Sequence, residues 1–136
     1  MNVLVIDAHG GGIGRQIVSA VKQNLQDAVV TAVGTNTVAT SAMLKAGADE
    51  AATGENAVIV CAKKADIIVG PIGIVIADSM LGEITPAMAA AVSQSGAKRV
   101  LIPVNLCNNV VVGVTDLTTG RLIQYAIEEI TRTAGE

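Results

Sequence analysis

The chain opens on Val3-Leu4-Val5-Ile6-Asp7-Ala8-His9-Gly10-Gly11-Gly12-Ile13-Gly14. An apolar run with β character breaks into a glycine cluster, and an amphipathic stretch follows without a linker. A strand, a glycine turn and a helix in that order leave the first N–H groups of the helix without internal partners, at the positive end of its dipole. Glycines remove the side chains that would keep an anion from the backbone. The expectation is a site for a phosphate-bearing, nucleotide-like ligand.

Period and punctuation set the remaining elements. Strands are expected at 3–6, 28–33, 49–52, 66–69, 99–104 and 110–114. Helices are expected at 13–25, from the cap at Asn36 or Thr37 to 46, at 55–64, from the Thr85-Pro86 start to 95, and at 120–132. The piece from Ile74 to Ile84 reads equally as a short helix or an extended flap. Strands alternating with helices predict an α/β, three-layer, doubly wound fold, Rossmann-like, on a mostly parallel sheet of about five to six strands. A length of 136 residues suits a single nucleotide-binding domain spanning 1–136, with a core but no separate substrate domain.

Composition narrows the function classes. Hydrophobic residues make up 51 % of the chain, yet there is no Phe or Trp and one Tyr. The core must be aliphatic, and the high apolar content suggests a homo-oligomer, with Ile72 to Leu81 as the candidate docking piece. The net charge is −3, without a basic stripe, which argues against nucleic acid. No apolar stretch is long enough to span a bilayer as a helix, and the N-terminus enters a strand directly, so the expected location is cytoplasmic. Cys61 and Cys107 lack the spacing of a disulfide or metal motif.

Ligands of doubly wound sheets bind at the carboxyl edge where the winding reverses, between strands one and four. Gly10, Gly11, Gly12, Ile13, Gly14 and Arg15 would then face Gly70, Pro71 and Gly73 across one crevice. Gly12 and Gly14 would open the backbone, and the N–H groups from Ile13 to Arg15 would hold phosphate. Thr35 and Asn36 would meet the ribose or base, with Asn105 and Cys107 on the far side. Asp7 is read as an acceptor for the loop's free N–H groups rather than as a nucleophile. A second reading, from another class, pairs Cys107 as nucleophile with His9 in a small hydrolase or transferase. A third is a non-catalytic oligomeric module. No metal site is expected, because His9 is the only histidine.

Three resemblances attach to these residues. Gly12-Ile13-Gly14 resembles the end of the dinucleotide-binding loop of short-chain dehydrogenases, which implies NAD or NADP. Arg15 stands where the final glycine of GxGxxG would be, no acid ends strand two, and no Tyr-x-x-x-Lys pair is present. Gly11 to Gln16 is similar to the P-loop of deviant-Walker ATPases, with Arg15 in place of the phosphate lysine and Gln16 in place of the Mg²⁺-binding hydroxyl. Taken whole, with Gly11-Gly12-Ile13-Gly14 and Asn105-Leu106-Cys107-Asn108, the chain resembles small bacterial Rossmann-like proteins of uncharacterised function. That likeness implies the fold, a bacterial origin and these two sites, without a reaction.

Overall fold

The computed structural model of the chain describes residues 1–104, 106 and 108–136. Five strands form one sheet: β1 (Asn2–Asp7), β2 (Val29–Gly34), β3 (Glu50–Thr53), β4 (Ile67–Pro71) and β5 (Lys98–Ile102). Their order is β3-β2-β1-β4-β5, and all neighbours are parallel. Among the described residues five α-helices complete it: α1 (Gly12–Asn24), α2 (Thr37–Lys45), α3 (Glu55–Ala62), α4 (Pro86–Gln94) and α5 (Thr119–Ala134).

Alternation along β1 builds the two faces. Val3 and Val5 pack with Ile17, Val18 and Val21 of α1, Met43 of α2, and Ile123, Ile127 and Ile130 of α5. Leu4 and Ile6 point the other way, onto Val58 of α3 and Met88 and Val92 of α4. The result is a three-layer, doubly wound, Rossmann-like α/β fold. Winding runs outward from β1 through β2 to β3, returns through α3 to β4, and continues to β5. The reversal therefore lies between β1 and β4, where Val5 is in register with Val69.

Local chemistry explains the helix starts. The Asn36 side chain accepts from the Ala39 amide and caps α2; Thr85 does the same for Met88 in α4, with Pro86 in the first helical position. Helix α1 has Gly11 at its N-cap, at φ +73°, and no side-chain cap from that residue. A Cβ at Gly11 would also meet the Ala39 backbone at 2.9 Å, so the position demands glycine twice over.

Two expectations are corrected. The run 110–114 is not a strand, despite its valines: Val110 and Val112 are 86 % and 92 % exposed, and no strand pairs with them among the described residues. β-branched residues favour an extended chain, but a ladder also needs a neighbour. The Ile72–Leu81 piece is not a free docking segment either. It opens as a 3₁₀ turn (Ile72–Val75), buries Ile74 and Met80 in the second core cluster, and leaves only Leu81 fully out. Among the described residues no helix is long and apolar enough to cross a membrane.

Candidate functional site

At the carboxyl ends of β1 and β2 the polar groups converge from three loops. Asp7 closes β1 and is 4 % exposed. Its Oδ2 accepts from the Gly14 amide at 2.7 Å and its Oδ1 from the Ala8 amide at 2.8 Å. The carboxylate thus caps α1 from underneath the glycine loop, in place of an N-cap side chain. Burial pushes the Asp7 carboxyl above its ordinary range; the two amides offset this only in part.

Not every amide of the loop is taken. Gly11 N–H donates to the Ala8 carbonyl at 3.0 Å and Arg15 N–H to the Gly11 carbonyl at 2.9 Å. Of the donors expected for phosphate, from Ile13 to Arg15, only Ile13 is therefore open. The amides of Gly10, Gly12 and Ile13 have no hydrogen-bond partner among the described residues. A Cβ built on Gly10 or Gly12 meets nothing within 4 Å, whereas one on Gly14 would meet Met43 Sδ at 2.5 Å and Asp7 Cβ at 2.8 Å. The loop divides accordingly: Gly11 and Gly14 pack it against α2 and β1, while Gly10 and Gly12 leave its outer side bare.

Glu83, which sequence reasoning missed, sits beside this loop. Its Oε1 accepts from the His9 amide (3.0 Å), the Thr35 hydroxyl (2.6 Å) and the Asn36 side-chain amide (2.8 Å). Its Oε2 lies 3.3 Å from His9 Nε2, which also contacts the Met80 carbonyl at 3.2 Å. Burial pushes the Glu83 carboxyl up, but donation from Thr35, the His9 amide and Asn36, with the field of His9, outweighs it and holds the group below its ordinary range. Asn36 spends its remaining donor on the His9 carbonyl at 2.9 Å. No short-range pattern announces Glu83, because its partners lie 47 to 74 positions away.

The other candidates fall in different places. Gly70, Pro71 and Gly73 are buried. A Cβ at Gly70 would collide with the Ile6 carbonyl oxygen, and the Gly73 carbonyl accepts from the Ser79 hydroxyl at 2.5 Å. These residues seat β4 against β1 and anchor the loop that carries Glu83. Arg15 is exposed and lines a groove of about 540 Å³ between α1, α2 and the start of α5, with Gln16, Ser19, Ala42 and Lys45. Asn105 and Cys107 lie outside the described residues. Cys61 packs half-buried against the second core cluster, and burial raises its thiol.

Comparison with known proteins adds the family. No curated protein matches the sequence. Among solved structures, a dodecameric FMN-dependent UbiX-like decarboxylase from Escherichia coli O157:H7 aligns at 16 % identity, over 98 % of this chain and 76 % of the other, with a TM-score of 0.46. A family model described as "Domain of unknown function (DUF3842)" matches residues 2–135. With almost its whole length matched, the chain belongs to the DUF3842 family.

Proposed function

We propose that the protein binds a nucleotide or dinucleotide, NAD(P)-like, with a phosphate on the outer side of the glycine loop. One observation carries the reading: the Gly10, Gly12 and Ile13 amides are unpartnered among the described residues, and a Cβ built on Gly10 or Gly12 would meet no atom within 4 Å beyond its chain neighbours. Unsatisfied donors at a helix start attract an anion, and the dipole of α1 adds to the attraction. The place is the carboxyl edge beside the winding reversal, where ligands of such sheets bind. Asp7 is spent beneath the loop on the Gly14 and Ala8 amides, while Glu83 stands at its flank with Oε1 filled and Oε2 beside the His9 ring.

A thermal-shift panel of NAD, NADP, FAD, FMN, ATP, S-adenosylmethionine and coenzyme A tests the reading. A ligand present at about a hundred times its dissociation constant stabilises the fold by about 2.7 kcal/mol. Gly12→Asp should abolish the shift, because its carboxylate would fill the approach and repel phosphate. Failure of every compound to move the midpoint would overturn the reading.

The pairing of Cys107 with His9 gains one supporting feature and no more. The His9 ring is oriented through Nε2 by Glu83 and the Met80 carbonyl, as a base would need. Rapid alkylation of Cys107 by a mild thiol reagent would favour that reading, since only a low-pKa thiol reacts fast. Self-association belongs to the proposal as well, supported by the exposed valines at 110 and 112.

A further inference from the structure

Dinucleotide-binding folds commonly place an acid at the end of the second strand, where it accepts hydrogen bonds from ribose hydroxyls. In this chain β2 ends at Gly34 and is followed by Thr35 and Asn36, neither of them acidic. A carboxylate stands there all the same. Glu83 Oε1 is bonded to both side chains, 2.6 Å from the Thr35 hydroxyl and 2.8 Å from the Asn36 amide. The same oxygen is 3.0 Å from the His9 amide, one residue before the open loop. The charge therefore spans the gap between the end of β2 and the glycine loop.

We propose that Glu83 is the ribose-recognising residue of the site, selecting a nucleotide whose 2′ and 3′ hydroxyls are both free and rejecting one phosphorylated at the 2′ position. The inference rests on the nucleotide reading given above and adds the ligand class to it.

The carboxylate has capacity left. Its two oxygens offer about four lone-pair positions. Oε1 is filled by three donors, while Oε2 has only the His9 ring nitrogen, at 3.3 Å, among the described residues. The Glu83 side chain is 30 % exposed, so it is not sealed from solvent. A ribose diol brings O–H donors to such an oxygen. A 2′-phosphate brings only negative acceptors and meets the carboxylate with repulsion.

The loop around Glu83 is built to hold it still. Asp78 N–H donates to the Ile84 carbonyl at 2.7 Å, and Ile84 N–H returns to the Ser79 carbonyl at 3.3 Å. The Ser79 hydroxyl is tied to Gly73, while Met80 and Ile84 are buried. Asp78, Met80 and Leu81 all hold positive φ, between 53° and 64°. Three non-glycine residues in that region carry strain, which persists only where the surroundings over-determine it. Glu83 is thus a fixed acceptor rather than part of a swinging flap, and a fixed acceptor needs no reorganisation on binding. Arg15 lines a groove with Thr37 and Lys45, and it is the cation to test as an alternative partner for a 2′-phosphate.

Isothermal titration of NAD and NADP, with ADP-ribose as a fragment, against the wild type and Glu83→Gln tests the proposal. Like charges across a binding site oppose each other strongly, so NAD should bind the wild type at least about tenfold more tightly than NADP. In Glu83→Gln, whose shape is nearly unchanged, the ratio should fall to within about threefold, because the repulsion is gone. Equal wild-type affinities, or tighter NADP lost in Arg15→Ala, would overturn the assignment of Glu83 while leaving a nucleotide site intact. No binding of any of the three to the wild type would overturn the nucleotide reading, and this inference with it.

Discussion

Gly12 and Gly14 lie two positions apart and are glycine for opposite reasons. A Cβ at Gly14 runs into Met43 Sδ and Asp7 Cβ, whereas a Cβ at Gly12 meets nothing. Gly14→Ala should therefore destabilise the fold by about 1–3 kcal/mol, and Gly12→Ala should leave stability within about 0.5 kcal/mol, measured by urea unfolding. If Gly12 instead proves the costlier position, the open side of the loop has been misassigned. Glu83 gives a prediction in pH. Its carboxyl is held below the ordinary range in the fold, so its stabilisation is present above the ordinary glutamate value and lost as the pH falls through the folded value. At pH 7 Glu83→Gln should be less stable than wild type by about 1 kcal/mol, allowing for solvent screening. The gap should close below about pH 4. A gap independent of pH would mean that the charge of Glu83 has no part in the network. The glycine loop was legible because it is written in consecutive residues. Glu83 was not, since its role depends on three donors brought to it by the sheet.

Helices announced themselves best at this scale, because caps and stops are local chemistry. Thr85-Pro86 opens α4, and Asn36 caps α2 as the sequence expects. Asn36 is also tied to Glu83 and to the His9 carbonyl, so it couples the start of α2 to the site. Asn36→Ala should cost about 1–2 kcal/mol in chemical denaturation, the upper end of a lost cap. A loss below about 1 kcal/mol, that of an ordinary cap, would show that the contacts to Glu83 and His9 add nothing. The segment after β4 was ambiguous for a physical reason. Its course depends on left-handed residues at Asp78, Met80 and Leu81, which are not glycines; of the left-handed positions there, Gly82 alone carries the usual signal. The valines at 110–114 misled in the other direction, since pattern reports propensity and a strand also requires a partner.

Across the whole molecule, the doubly wound order follows from alternating elements and right-handed crossovers, and it was the most legible property of the chain. With Ile74, Met80 and Ile84 buried, Leu81, Val112 and Val110 are the most exposed large apolar side chains among the described residues. Light scattering should accordingly give a mass above the 13.7 kDa monomer, reduced in Val110→Lys/Val112→Lys. A monomer at every concentration would remove self-association from the account. The central claim concerns three backbone amides, and nitrogen-edited NMR observes them directly during titration with ADP-ribose. The resonances of Gly10, Gly12 and Ile13 should move most and saturate together, while Gly14, already bonded to Asp7, moves less. Shifts confined to the groove between α1 and α2, with those three amides unmoved at saturating ligand, would contradict it.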